Sequence, residues 1–422
     1  MTERTAVETC DVLVVGGGVL GTSIALELGR AGAGDVLLVE RDAIAEGTSN
    51  AGAGIVALWG GLSPFLGPHE IALERYGLQS YAELTSLGYD FGFKRNGTLF
   101  PAATEATYQA FAEIGDAPLI EWELLDGVQV AELTGITVAD EVPGGAFNRE
   151  GGQVRAGDAT LALADLVLRE GNRIHTHRPV LGLRTSGSRV VGVDTQWGPI
   201  EASAVVLAAG AWTNQLLAGI GAWLPMVPLT ASRLTTGPLG VKADMPAMLW
   251  ADFAGMWMRE EAGGLVWGAT YSAPPHFSFI DGEIPHRFDQ LPLDGLVQVQ
   301  GFAKAASRAM PILARETSMR LAHGVPCFTP DRVGLVGPML QHEGLWVAAG
   351  CNEGGVTHGP GYGRVIADLL VSGQTKVTDA SRLRPNRLDD KYPTLADVTA
   401  ELVADTQRVH ESRQTGFDAP TA

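Results

Sequence analysis

Residues 11–40 read Asp11-Val-Leu-Val-Val-Gly-Gly-Gly-Val-Leu-Gly-Thr-Ser-Ile-Ala-Leu-Glu-Leu-Gly-Arg-Ala-Gly-Ala-Gly-Asp-Val-Leu-Leu-Val-Glu40. Val12 to Val15 is a short apolar, β-branched run, the pattern of a strand buried on both faces. Gly16-Gly-Gly18-Val-Leu-Gly21 follows at once, and Leu20, Ile24 and Leu28 then recur at helical spacing until Gly32. Val36 to Val39 is a second buried strand, and it delivers Glu40. Each part has a physical task. Gly16 permits the tight turn, Gly18 lets the backbone approach a pyrophosphate, and Gly21 allows close packing of the helix. The amides around Val19 and Leu20 open that helix, so free N–H groups and the positive dipole end face the phosphates. Glu40 stands 19 residues beyond Gly21, the spacing of a carboxylate that accepts from ribose hydroxyls. Strand, loop, helix, strand and acid in this order define a dinucleotide-binding βαβ unit. By itself the unit fits NAD and FAD alike.

Three further segments decide between them. Glu46-Gly-Thr-Ser-Asn-Ala-Gly-Ala-Gly54 is a small-residue loop after the second strand, able to wrap a flavin by its backbone. Ala204-Val-Val-Leu-Ala-Ala-Gly-Ala-Trp-Thr213 is a buried strand running into Gly210. Gly344-Leu-Trp-Val-Ala-Ala-Gly350 is a late strand leading into the glycine-rich loop Asn352 to Gly361, then an apolar helix near Gly363 to Leu370. Four strands that each end in glycines, spread over the chain, are explained by one ligand more simply than by four unrelated loops. That ligand is FAD.

Composition narrows the function classes. The 422 residues are 45% hydrophobic and 18% charged, ordinary for a globular chain, and the formal net charge is −18. So acidic a surface repels phosphate backbones and anionic lipid, which speaks against nucleic acid or membranes as partners. Cys10, Cys327 and Cys351 are widely spaced and form no CxxC pair, so neither a disulfide framework nor a thiolate metal site is indicated. No His/carboxylate cluster points to a metal. The N-terminus lacks a basic start and apolar run, and the apolar stretch 11–28 is too punctuated to span a bilayer. The chain therefore reads as cytoplasmic.

Together the segments resemble the D-amino-acid-oxidase-like family of FAD-dependent oxidoreductases, the group of glycine oxidase, monomeric sarcosine oxidase and D-amino acid dehydrogenase. The matching pieces are Asp11 to Gly18, Thr48-Ser-Asn-Ala-Gly52, Phe93-Lys-Arg-Asn-Gly-Thr-Leu-Phe100, Ala209-Gly-Ala-Trp-Thr213, Thr329-Pro-Asp331 with Gly337, Gly350 to Gly363, and Leu383-Arg-Pro-Asn-Arg387. The resemblance implies an α/β fold in which a Rossmann-type FAD-binding domain (1–80, 150–220 and 325–390) is interleaved with an antiparallel-sheet α+β substrate domain (81–149 and 221–324). Residues 391–422 are left as a C-terminal helix and a disordered tail. Local patterning agrees with parts of this. Ile71, Tyr76, Leu78, Tyr81 and Leu84 mark a helix, Phe93 to Phe100 looks like the family's first substrate-domain hairpin, and Met256 to Arg259 and Leu265 to Gly268 read as strands joined at Gly263-Gly264. A helix over 394–410, with Leu395, Val398 and Leu402 on one side, has a face for the body of the protein or for a partner subunit of a homo-oligomer.

The resemblance also implies site residues. Gly16, Gly18, Val19, Leu20 and Gly21 would take the phosphates, and Glu40 the ribose. Arg41, Thr48, Ser49 and Asn50 would lie along the cofactor. Val180 would meet adenine by its backbone, Ala209, Gly210 and Trp212 would come from the central strand, and Gly355, Val356 and Thr357 would face the isoalloxazine. The expected substrate is a small amine or amino acid, including secondary and N-methyl amines and imino acids, which gives a hydride to the flavin and becomes an imine, with O2 or another electron acceptor closing the cycle. The flavin carries the hard chemistry and the protein positions the donor. A substrate carboxylate needs a cation, and Arg is preferred for its bidentate fork. Three places where relatives carry that cation are apolar or neutral here: Ile55 to Leu58, Gly324 to Phe328, and Thr357. Arg259 is the first substitute, with Arg233 and Arg332 behind it. Its bland reading is a solvated strand charge beside Glu260 and Glu261. His358, in the flavin loop, is the best histidine for substrate contact, ahead of His69 and His276. Trp59, Phe65, Trp250, Met256, Trp257, Met258, Trp267 and Tyr271 are core residues, or in a few cases the wall of an apolar pocket. The position where sarcosine oxidases attach flavin through cysteine is Gly324, so FAD is expected to be non-covalent. Their lysine linked to oxygen reactivity falls near Val266. Alternatives are oxidation of an alcohol or amino sugar on the same frame, and a non-catalytic flavin-binding or electron-transfer protein, which leaves a large second domain unexplained.

Overall fold

The computed structural model describes residues 7–58, 67–114, 120–250, 256–269, 283–291, 304, 307–315 and 319–413. Expectations about Trp59, Phe65, Tyr271, His276 and the tail beyond Arg413 lie outside the described residues. The helices described are Val19–Arg30 (α1), Pro68–Ser86 (α2), Glu105–Ile114 (α3), Gly127–Thr134 (α4), Ala156–Arg169 (α5), Thr213–Ala218 (α6), Gly355–Ser372 (α7) and Leu395–Arg413 (α8).

Among the described residues two eight-stranded sheets organise the fold. In the first, strands Leu345–Ala349, Gly198–Leu207, Glu8–Val15, Val36–Val39 and Arg173–His175 lie side by side and parallel. Strand Leu335–Pro338 is added antiparallel at one edge, and the meander Val180–Ser186 and Arg189–Thr195 pairs with the early half of Gly198–Leu207. Val12 to Val15 and Val36 to Val39 are buried throughout, as the unbroken apolar runs require. Helices α1, α2, α5 and α7 contribute buried residues to the core on one face of this sheet.

The second sheet runs Met319–Gly324, Ala231–Thr236, Gly264–Ala269, Met256–Glu261, Ala247–Leu249, Thr98–Ala102, Gly144–Asn148, Glu123–Asp126. All neighbours are antiparallel except Ala247–Leu249 beside Thr98–Ala102. Side chains alternate between its faces. Met256, Met258, Leu265, Trp267 and Leu234 fill the core behind it, whereas Trp257 and Val266 pack with Ile55 and Ala57 of the small-residue loop in front.

Three local expectations change. The hairpin read at Phe93–Phe100 does not form. Lys94 bridges Gln153, and Thr98–Ala102 pairs with Gly144–Asn148, because the apolar partner for Leu99 and Phe100 arrives from that later strand. The turn at 263 uses Ala262 and Gly263, both at positive φ, and Gly264 already pairs with Glu261. The glycines of 355–363 are not a loop. They form the first half of α7, and Gly355, Gly359 and Gly363 recur every four residues along one side, against α1. A Cβ at Gly363 would stand 2.7 Å from the Ser23 carbonyl oxygen, so only glycine lets the two backbones approach this closely. Helix α8 covers its own chain: Val398 and Leu402 are buried with Val227, Phe328, Leu388 and Tyr392.

Candidate active site

The first cradle is the turn into α1. Gly16 adopts φ 115°, and a Cβ at Gly21 would stand 1.8 Å from the Gly16 carbonyl oxygen, so both positions need glycine. Gly18 caps α1 without a side-chain hydrogen bond. Ser49 Oγ accepts from the Val19 amide at 2.9 Å, which ties the second loop to this helix start. An N-terminus thus lightly capped keeps amides for an anion. Glu40 accepts from the Gly17 amide at 2.6 Å and from the Asp42 amide at 2.8 Å, which fixes its carboxylate beside the glycine turn.

Beyond Glu40 lies an aromatic corner. The Arg41 guanidinium carbon is 3.8 Å from the centroid of the Trp212 ring, and Trp212 stacks on Phe288 at 5.3 Å with planes 9° apart. Arg41 also donates to the His286 carbonyl at 2.8 Å. Arg178 donates its amide to the Glu40 carbonyl, so Val180 follows within two residues of the same edge. Gly210 sits at φ 52° after the central strand, and nothing lies within 4 Å of where its Cβ would be. Phe288 and His286 had no legible signal, being remote in sequence from Arg41.

The small-residue loop is pinned on all sides. The Thr48 hydroxyl accepts from the Val325 amide at 3.0 Å, Arg233 donates to the Asn50 carbonyl at 2.8 Å, and Arg259 Nε donates to the Ala53 carbonyl at 2.6 Å. The Thr357 hydroxyl donates to the Ile55 carbonyl at 3.1 Å, and Gly54 accepts from the Val154 amide. Asn50 turns its side chain to Gly157 at the start of α5. The structure thereby brings Thr48, Ser49, Asn50, Arg233, Arg259 and Thr357 together around one loop.

Arg259 is not the solvated strand charge of the bland reading. It is 3% exposed, and its remaining donors go to the Glu260 carbonyl and to Glu261 at 2.6 Å. Burial holds its guanidinium below the usual arginine value, opposed by Glu261. Arg332 is committed to Asp405 of α8 at 2.7 Å, both largely buried. His358 is turned into the α2–α7 interface: Nε2 is 3.4 Å from Glu74 Oε1, and the ring stacks on Tyr362 at 5.5 Å. Residue 358 thus falls on the helix side facing α2, buried, while Thr357 faces the loop. His69 lies at the start of α2, its carbonyl taken by Thr378.

The start of α7 carries Gly355, Val356 and Thr357, again with no side-chain cap. Pro360 has no N–H to give the Val356 carbonyl, four residues earlier. The Tyr81 hydroxyl, wholly buried on α2, donates to that carbonyl instead at 2.7 Å. Sequence periodicity marks Tyr81 only as core. Pro360 inside an apolar helix is the signal that could have found this partner. Among the described residues no group of three metal-ligating side chains gathers, and no helix is long and apolar enough to cross a membrane.

A parallel sheet whose strand ends present a glycine turn, a carboxylate fixed beside it and two lightly capped helix starts defines a dinucleotide-binding frame. The family model described as FAD dependent oxidoreductase (DAO) matches residues 11–369, and the chain belongs to that family. It is similar to 4-methylaminobutanoate oxidase (formaldehyde-forming) of Paenarthrobacter nicotinovorans, 30% identical over 373 residues that make up 86% of this chain and 43% of that protein. Mitochondrial dimethylglycine dehydrogenase of Homo sapiens is 25% identical over 394 residues, 90% of this chain and 44% of that one. The chain thus spans less than half the length of these two relatives. The crystal structure of L-proline dehydrogenase from P. horikoshii has the same fold, with a TM-score of 0.78 at 22% identity, covering 91% of this chain and 99% of that one.

Proposed function

We propose that the chain oxidises a small amine at the carbon beside nitrogen, with secondary and N-methyl amines as the favoured class. The amine loses a hydride from that carbon and a proton from nitrogen, giving an imine that water opens to a carbonyl and a smaller amine. FAD supplies the hydride acceptor. The amides of Gly16 to Gly21 would hold its phosphates, Glu40 its ribose, and Arg41, Val180, Ala209, Gly210 and Trp212 its adenine end. Thr48, Ser49 and Asn50 would lie along its length, and the amides of Gly355 to Thr357 would stabilise negative charge on its ring. The reading is carried by one observation: the pinned loop 48–58 lies between two lightly capped helix starts and the Trp257/Val266 face of the second sheet. The similarity to a formaldehyde-forming 4-methylaminobutanoate oxidase supports the N-methyl class.

The cofactor would be held without a covalent bond. Burial pushes the Cys327 thiol up, and Cys351 to about 11, so neither is poised as a nucleophile. Anaerobic mixing of the yellow protein with N-methyl amines, other secondary amines, imino acids and D-amino acids tests the reading. Loss of the oxidised-flavin absorbance with at least one amine is expected. Retention of FAD with bleaching by none, or by alcohols alone, refutes it. Peroxide release in air then separates O2 from another acceptor.

A further inference from the structure

The loop-facing side of the second sheet carries an excess of positive charge. Directly paired residues share a face, so the pairings Trp257–Gly268, Gly268–Arg233 and Arg233–Ala322 make one row. Arg259–Val266, Val266–Thr235 and Thr235–Arg320 make the next. Three arginines from three strands therefore point to the side that holds the loop. Among the described residues only Glu261 stands within ion-pair distance of any of them, on Arg259. This occurs in a protein of net charge −18, where acids are plentiful.

Arg233 is the cation with capacity to spare. It gives one donor to the Asn50 carbonyl, while its Nε is buried without a hydrogen-bond partner and no carboxylate pairs with it among the described residues. Burial holds its guanidinium below the usual arginine value; the Arg259 and Arg320 charges act the same way, and the Glu261 charge opposes them. A half-buried cation left so poorly compensated is costly unless an anion joins it. Beside it, Gly268 leaves a notch: a Cβ there would stand 2.7 Å from the Trp257 ring, so the indole lies over the glycine and borders Arg233.

We propose that Arg233 binds the carboxylate of the substrate, with Arg320 as a supporting charge and the Trp257 ring covering the apolar carbons between carboxylate and nitrogen. The substrate class is then an amino carboxylic acid with a short apolar spacer. This rests on the amine-oxidation reading, and it brings the cation from a strand other than the three places where relatives carry it.

The test uses the FAD-loaded enzyme and two inert probes of one shape, butanoate and butanamide, followed by perturbation of the flavin spectrum. Butanoate is expected to bind and butanamide not. Arg233→Met should raise the butanoate Kd at least about tenfold, the worth of a charge-assisted contact. Arg233→Lys should fall between, since it keeps the charge and loses the fork. Because Arg233 also holds the Asn50 carbonyl, FAD content and melting temperature are measured on each variant, and the wild-type comparison stands if the methionine variant fails to fold. Equal binding of the two probes to wild type, or unchanged butanoate binding in a folded Arg233→Met, overturns the proposal. Failure of every amine to bleach the flavin would leave these binding results intact and strike only the parent reading.

Discussion

Removing one hydroxyl from α2 should weaken α7 at its cofactor end. In Tyr81→Phe the ring stays in place, but the Val356 carbonyl loses its donor at 2.7 Å. Pro360 cannot replace it, and the site is closed to water, since Tyr81 is 0% and Val356 7% exposed. A stranded buried acceptor costs about 1–3 kcal/mol. For a chain of 422 residues, at roughly 2 cal/mol/K each, the unfolding entropy is roughly 0.9 kcal/mol/K, so the melting temperature should fall by only ~1–3 °C. A shift that small has several possible sources, so the decisive measurement is a cycle with Pro360→Ala. Alanine restores the N–H four residues beyond Val356, and the carbonyl regains a helical partner. Tyr81→Phe should then cost less than about 1 kcal/mol in the Pro360→Ala background, a coupling of about 1 kcal/mol or more by scanning calorimetry. Equal cost in both backgrounds would refute the substitution of a tyrosine hydroxyl for a missing amide.

Gly363→Val drives a branched side chain at the Ser23 backbone and should abolish FAD retention or folding, whereas Gly373→Ala, open beyond the helix, should cost only about 1 kcal/mol for its αL backbone, as melting curves with and without FAD will show. Burial raises the Glu27 carboxyl above 4.5, against Tyr76, Arg30 and Arg364. The folded state therefore holds this proton longer than the unfolded chain, and stability falls as pH climbs from 4.5 through the raised folded value. Glu27→Gln should accordingly stabilise above that window and do little below it, because Arg30 keeps Glu83 and Glu170, and Arg364 keeps Asp368; a thermal-melt series across pH reads this. Acid precipitation should release all flavin into the supernatant, and yellow colour remaining in the washed pellet would contradict non-covalent binding.

The opening βαβ unit was legible because every force on it is local: a buried strand, a turn that only glycine makes, and a carboxylate at fixed spacing. The hairpin at 256–269 was legible for the same reason, its alternation being short-range. What sequence pattern missed came from contacts between distant segments. The 355–363 run looked like a loop because glycine disfavours helix, yet tertiary packing against α1 overrides that propensity. Phe93–Phe100 has its partner in residues 144–153, beyond the reach of a hairpin rule. His358 and Thr357 are adjacent in sequence, but helical geometry turns them to different neighbours. Arg259 stands beside two acids in sequence and still buries itself, because the Ala53 carbonyl waits across the sheet face.

The glycine seam between α1 and α7 has a consequence for the cofactor as a rigid body. One helix opens at the Gly16–Gly21 turn and the other beside the small-residue loop, and at Gly363 and Ser23 their main chains are in direct contact. At Gly363 no side chain intervenes to absorb a shift. A distortion of either helix at Gly363 would therefore pass to the other, and a dinucleotide held at both helix starts would answer to it at both ends.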